Sequence, residues 1–330
     1  MTRPMKIGST RRRFLSIVAG CAAAVAAGGA AAVPAFRWRG RALGAEAEIV
    51  MHAADGRRAR ALALAGVEEI ERLEKQFSLY RDSALTRLNA AGRLDAPSHD
   101  MLRLLGHCRW FNELTGGAFD VSMQPLWSLY AGHFRRPGAD PRGPGGAAVA
   151  RALAAVGDAA IEAAPEAVVL TKPGMALSFN GIAQGYITDS VARVFRAGGA
   201  ADVLINLGEF RALGRNRRSG GAWRVAGPPL AAGEAPVFEL QDRALATSAP
   251  AGTVFDPSGR HRHIFDPRTG QTIPAAESVT VMAPTATEAD ALSTALCVVP
   301  AERRAGIVAR TRNVVAVFVD AGGITERLRS

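Results

Sequence analysis

Strand-like runs outnumber helical ones along this 330-residue chain, and the two kinds do not take turns. A doubly wound parallel sheet needs a helix between each pair of strands, so the pattern points to a mixed α+β fold instead. Residues 44–52 read as a strand. From Arg57 to Gln76, Leu62, Val67, Ile70 and Leu73 recur at helical spacing, with Phe77 closing the stripe. The stretch Phe77–Ser83 breaks that period, and a short turn ends at Leu88-Asn89. Ser98 caps a second helix to about Leu114, with Leu102, Leu105, Cys108 and Phe111 on one face and Gly116-Gly117 stopping it. Strands are expected near 159–163, 166–171 and 175–179, then a helix over 182–196 and an apolar strand over 202–207. Short β segments follow at 222–226, 236–240, 262–266 and 278–283, then helices over 288–298 and near 301–310, and a strand over 313–319. The Gly/Pro/Arg-rich stretch 132–147 reads as a mobile surface loop, and no internal repeat is present.

The first 35 residues are an address rather than part of the fold. They hold Arg3, Lys6, Arg11, Arg12 and Arg13 and no acid, and Thr10–Ser16 fits the twin-arginine export pattern ahead of an Ala/Gly-rich apolar run from Ile17 to Val33. That run is weakly hydrophobic for a permanent membrane span. Ala32-Val33-Pro34-Ala35 suits conventional cleavage, with the mature chain starting at Phe36. Val18-Ala19-Gly20-Cys21 resembles a lipobox, which would leave Cys21 lipidated, but the apolar stretch before it is short. The expected organisation is a signal over residues 1–35 and one domain over 36–330, in a periplasmic protein with a possible lipid anchor.

The formal charge of +10 invites a nucleic-acid reading. Losing residues 1–35 lowers 40 basic residues to 35 against 30 acids, a net +5. Lys6, Lys75 and Lys172 are the chain's three lysines, so the positive charge is nearly all arginine, spread without a basic stripe or interleaved aromatics. No nucleic-acid partner is expected. None of the lysines sits in a phosphate-loop pattern. Beyond Cys21 only Cys108 and Cys297 remain, too few for a disulfide framework and without zinc spacing.

Three segments carry chemistry. In Leu177–Tyr186, Gly181 and Gly185 bracket a strand-to-helix junction whose free N–H groups suit a phosphate, although packing alone produces the same pattern. In Thr285–Thr294, Thr285 with Glu288 forms a capping box, and Asp290 and Thr294 share one helix face. A carboxylate beside a hydroxyl suits Mg²⁺; a solvated Asp beside a packed Thr has the same spacing. In His261–Gly270, His263 precedes an Asp266-Pro267 turn, placed either as a general base or as a structural histidine.

Taken in order, Phe77-Ser78-Leu79-Tyr80 with Ser83 and Leu88-Asn89, Gly117-Ala118-Phe119-Asp120 with Gln124-Pro125-Leu126, Gly181-Ile182-Ala183-Gln184-Gly185-Tyr186, Asn206-Leu207-Gly208, Ala246-Thr247-Ser248, His263 to Gly270 and Ala289 to Thr294 resemble the ApbE family, the FAD:protein FMN transferases, over residues 45–320. The resemblance implies largely antiparallel sheets packed with helices. It implies Mg²⁺-dependent cleavage of the FAD pyrophosphate, transfer of FMN to a threonine hydroxyl of a membrane or periplasmic target flavoprotein with a Ser/Thr acceptor motif, and release of AMP. Asp290, Thr294 and the Ala183 carbonyl would hold the metal, and His263 would be the base. Tyr80, Asn89, Asp120, Gly181, Gln184, Gly185, Tyr186, Thr247 and Ser248 would line the FAD site.

The chain also departs from that family. Gln184 stands where a lysine is usual and Ser178 where an aspartate is common. Glu209-Phe210 replaces a second Gly and an Asp, and Ala249 follows Thr247-Ser248 in place of Gly. Two other functions use the same pocket: a periplasmic FAD pyrophosphatase, with water as acceptor, and a non-catalytic flavin-binding or trafficking protein.

Overall fold

Alternation sets the edge of the main sheet. In the first strand Arg37, Arg39 and Arg41 face solvent, while Phe36 and Trp38 lean on the core. The structure, a computed structural model, describes residues 34–42, 45–53, 55–228, 235–273, 278–320 and 323–330. Residues 1–33, with the expected export segment and Cys21, lie outside the described residues. In chain order the elements are β1 (Ala35–Ala42), β2 (Ala45–His52), α1 (Gly56–Phe77), α2 (Ala84–Ala91), β3 (Arg93–Asp95), α3 (His99–Thr115), α4 (Gln124–Phe134) and α5 (Gly146–Ala154). Next come β4 (Ile161–Ala163), β5 (Ala167–Leu170), α6 (Ala183–Ala197), β6 (Val203–Asn206), β7 (Phe210–Leu213), β8 (Trp223–Ala226), β9 (Val237–Leu240) and β10 (Ala244–Ser248). The chain ends with β11 (Ser278–Ala283), α7 (Ala286–Val298), α8 (Ala301–Val308), β12 (Val315–Asp320) and β13 (Gly323–Arg329).

Eight strands form one sheet in the order β1-β2-β6-β7-β10-β11-β12-β13, and each described pairing is antiparallel. The period-2 pattern divides its faces. Leu213 and Ala246 join Ile49, Val203 and Ile205 in the main core, against Leu73 of α1, Phe195 of α6 and Leu292 and Leu296 of α7. Phe210, Ala212 and Leu245 face the other way, under the β8–β9 hairpin with its Trp223 and Phe238. Each fully buried Leu or Ile on these faces contributes about 1.5–3 kcal/mol by leaving water. A third, smaller cluster of Leu126, Tyr130, Val149, Val156 and Phe265 joins α4 and α5 to the 250–270 segment. Among the described residues no helix is long and apolar enough to cross a membrane.

The α+β reading stands, with corrections in detail. Residues 84–91 form a helix where a turn was expected, because Ser83 and Thr86 build a reciprocal cap and Gly92 ends it in a left-handed conformation. Residues 175–179 are extended but pair with no strand. Two other hydrogen-bond partners occupy their backbone: Asn89 bonds both the N–H and the C=O of Leu177 (2.7 and 2.8 Å), and Val121 O takes the Ser178 N–H. Residues 262–266 make only isolated bridges, Val254↔Arg262 and Phe265↔Thr272. The 132–147 stretch overlaps the end of α4 and the start of α5. Its bend is pinned by His133 Nε2 to Asp140 O (2.9 Å) and Arg260 to Pro141 O (3.0 Å). Strands β1, β3, β7, β10 and β13, and helices α4 and α5, were not expected from the sequence.

Candidate active site

Two helices meet at glycine, and that contact builds the floor of a cleft. A β-carbon on Gly185 would lie 2.2 Å from the Ala286 carbonyl oxygen, so α6 and the start of α7 approach as closely as backbones can. At this crossing the Gly185 N–H donates to Asp290 Oδ2 (2.9 Å). Four residues earlier, a β-carbon on Gly181 would lie 3.0 Å from Thr294 Oγ1. Asp290 and Thr294, one turn apart on α7, thus both face the glycine turn. Across α7, Ser248 at the end of β10 reaches Ser293 Oγ (2.8 Å) and Thr294 Oγ1 (3.1 Å).

The N-terminus of α7 is held from outside its own sequence. Thr285 accepts from the Glu288 N–H, one half of the expected capping box, while Asp189 of α6 accepts from the Ala286 and Thr287 N–H groups (2.9 and 2.8 Å). Arg211 of β7 lies against Asp189 at 3.5 Å. This inter-helix cap fixes α7 relative to α6, and with it the Asp290–Gly185 contact.

A cleft of about 180 Å³ opens above this floor. Phe119, Asp120, Met123, Gln124 and Trp127 form one wall, and Ser178, Asn180, Gly181 and Gln184 another; Glu209, Thr247, Ser248, Asp290 and Thr294 lie between, with His263, Phe265 and Pro267 lining it too. Three of these groups are carboxylates, and among the described residues of the lining none is Lys or Arg. Burial pushes the Asp290 carboxyl up to about 7, the Gly185 N–H pulling it down and Asp189 pushing it up. Burial raises Glu209 well above the usual carboxylate range, and the neighbouring Asp290 raises it further. The His263 ring has Nδ1 3.3 Å from the Thr253 carbonyl; a carbonyl only accepts, so the proton belongs on Nδ1 and Nε2 carries the lone pair. Burial drops this imidazole to about 4.

The cleft brings together Asp120, Gly181, Gln184, Thr247, Ser248, His263, Asp290 and Thr294 among the residues expected from sequence. Asp120 is fixed by accepting from Ser122 N and Oγ (2.8 and 2.6 Å) and from Asp158 N (3.2 Å). Gln184 spends its amide on the Leu207 carbonyl (3.2 Å), holding the turn at Gly208. Five expected residues do not line the cleft. Tyr80 is 53% exposed and accepts from Asn180 Nδ2 (3.3 Å), and Asn89 clamps Leu177 from behind. Ala183 and Gly185 are buried in the first turn of α6. Tyr186 is buried against Phe77, and its hydroxyl donates to Asp100 (2.7 Å). Glu209, Trp127 and Asp189 are the structure's additions. Of these, Glu209 had a visible signal, an acid placed between Leu207 and Phe210 in an apolar run.

The ApbE family profile matches residues 43–319. This chain belongs to the ApbE family. A relative from Haemophilus influenzae (strain ATCC 51907 / DSM 11121 / KW20 / Rd), named FAD:protein FMN transferase, is 31% identical over 280 residues, covering 78% of this chain and 80% of its own. The structure titled flavin transferase ApbE from Vibrio cholerae superposes with a TM-score of 0.75 at 27% identity, over 90% of this chain and 98% of that one. The apo flavinyl transferase ApbE of Pseudomonas stutzeri gives 0.76 at 26% identity, over 89% and 95%. The α+β architecture is therefore the ApbE fold.

The donor set fits a hard divalent cation. Asp290 and Thr294, a carboxylate and a hydroxyl one turn apart in a cleft with three acids and, among the described residues, no lining Lys or Arg, offer oxygen only. Among the described residues no group of three His, Cys, Asp or Glu side chains forms a metal cage, so such a cation would also draw on water, main chain and substrate.

Proposed function

We propose that this protein is an FAD:protein FMN transferase that uses Mg²⁺, moves FMN from FAD to a threonine hydroxyl of a target flavoprotein, and releases AMP. The observation that carries the reading is one cleft that brings the neutral imidazole of His263 together with an Asp–Thr pair at a glycine turn. Asp290 and Thr294 would hold the Mg²⁺. When bound, it would neutralise pyrophosphate charge and polarise the phosphorus to be attacked.

The chain's own residues supply the rest. The N-terminus of α6 offers the phosphates the positive end of its dipole, while its Ala183 and Gly185 N–H groups are taken by Phe179 O and Asp290 Oδ2. Asp120, Thr247 and Ser248 offer polar contacts, and Trp127 and Phe119 apolar surface, to the nucleotide. His263 Nε2 takes the proton of the incoming hydroxyl as its oxygen bonds to the FMN phosphorus. The phosphorus–oxygen bond to AMP breaks, and AMP leaves with that electron pair. Gln184 has no charge to add, so phosphate neutralisation falls to cation and helix.

The test is mass spectrometry of a co-expressed target flavoprotein incubated with FAD and Mg²⁺. The expected result is FMN on a threonine, lost when EDTA replaces Mg²⁺ and lost in His263→Ala and Asp290→Asn. Fast FMN and AMP release without a protein acceptor would identify a pyrophosphatase, and bound FAD that never turns over would identify a carrier. Export by the twin-arginine route to the periplasm belongs to the same reading, since the acceptor proteins it implies lie there.

A further inference from the structure

Glu209 has no role in the reading so far, yet it is the side chain in this cleft whose placement most needs one. It is 8% exposed and lines the cleft, and its Oε2 is buried with no hydrogen-bond partner. A buried carboxyl oxygen left unpaired is costly unless a donor or a cation faces it. The nearest arginine in sequence, Arg211, is turned to Asp189 of α6 at 3.5 Å, and among the described residues no Lys or Arg lines the cleft.

The backbone around Glu209 fixes where it points. On one side, Gln184 holds the Leu207 carbonyl (3.2 Å). Gly208, at φ +105, leaves room for that amide, since a β-carbon there would lie 2.3 Å from Gln184 Nε2. Gln184 precedes Gly185, whose N–H is bonded to Asp290. On the other side, the Thr247 backbone bonds the Glu209 carboxylate, and the next residue, Ser248, bonds Thr294 Oγ1 (3.1 Å). Glu209 is thereby bracketed between the neighbours of Asp290 and those of Thr294.

We infer that the Glu209 carboxylate is a further ligand of the divalent cation assigned to Asp290 and Thr294, its Oε2 completing an oxygen-only site. The inference rests on that cation assignment. Two carboxylates and a hydroxyl match the hard-oxygen preference of Mg²⁺ or Mn²⁺, and leave positions for waters and substrate oxygens. The same cation answers the charge that the cleft otherwise leaves buried and unopposed.

The experiment measures binding of Mn²⁺ alone to EDTA-stripped protein, by the loss of the free-ion electron paramagnetic resonance signal, together with the thermal midpoint with and without Mn²⁺. Glu209→Gln is expected to bind Mn²⁺ at least tenfold more weakly and to lose most of the Mn²⁺-induced rise in midpoint. Without metal its midpoint should stay close to wild type, because the amide fills the same space as the carboxyl. Asp290→Asn, run alongside, reports on the underlying assignment. Wild-type affinity in Glu209→Gln with weakened binding in Asp290→Asn overturns the Glu209 role alone. Wild-type affinity in both overturns the cation assignment and this inference with it. If Glu209→Gln does not fold, Glu209→Asp keeps the charge but shortens its reach, and affinity unchanged within twofold counts against the role.

Discussion

His263 is buried as a base, and burial sets its pH behaviour. Its imidazole falls from 6.5 to about 4 in the folded chain. Between those values the unfolded chain binds a proton that the native one refuses, so stability is fully present above pH 6.5 and is lost as pH falls toward 4. The difference is worth at most about 3 kcal/mol, trimmed by the ring's partial exposure. His263→Gln should therefore flatten the decline in urea-unfolding stability across that window, while removing most turnover, roughly 10²–10⁴-fold, at pH 7. An unchanged pH slope would contradict the buried, neutral ring. Tyr186 makes the opposite case. Read from the sequence it belonged beside the flavin; in the fold its hydroxyl answers Asp100. Tyr186→Phe should cost about 1 kcal/mol of stability and leave FAD affinity as it was, by fluorescence titration. The difference between the two residues was not legible from spacing: His263 follows an open loop, whereas Tyr186 sits one turn into a helix whose rotation only packing decides. Glu209 was hidden for a related reason. Its neighbours Gln184, Thr247 and Asp290 are between 25 and 81 positions away in the chain, and only their convergence gives an acid there a meaning.

At the scale of elements, helical periods and caps were readable because they are local. Ser98 caps α3 and Gly116 ends it in a left-handed conformation, as their positions predict. Short strands such as β7 and β10 were not readable, since four or five residues buried on both faces carry no period of their own. The glycine junction was legible as a junction but not as a contact distance, and two substitutions separate its halves. Gly185→Ala puts a methyl 2.2 Å from the Ala286 carbonyl, backbone against backbone. It should cost about 3 kcal/mol or more in chemical denaturation, as α6 and α7 are forced apart. Gly181→Ala meets only the Thr294 side chain, at 3.0 Å. Its stability cost should be about 1 kcal/mol, with Thr294 displaced and Mn²⁺ affinity lowered. If Gly181→Ala proved the more damaging to stability, the tight contact would have been assigned to the wrong turn.

For the whole molecule, the charge that suggests a basic protein lies away from the chemistry. Five of the basic residues precede residue 36, and the outward arginines of β1 pair in part with Glu48, while the cleft itself is acidic. That separation bears on where the mature chain begins. Cleavage after Ala35 would keep every β1–β2 pair except Ala35↔His52, and would leave Phe36 and Trp38 in place on the core. A protein produced from Phe36 should match the full chain in thermal midpoint and in FMN transfer. One produced from Ala45 loses β1 and uncovers the edge of β2, where Ile49 and Met51 are fully buried. Its midpoint should fall by roughly 5 °C or more. Mass spectrometry of the protein expressed in cells tests the expected export and its two processing routes. An N-terminus at Phe36 identifies conventional cleavage, and a diacylglyceryl Cys21 identifies an anchored form.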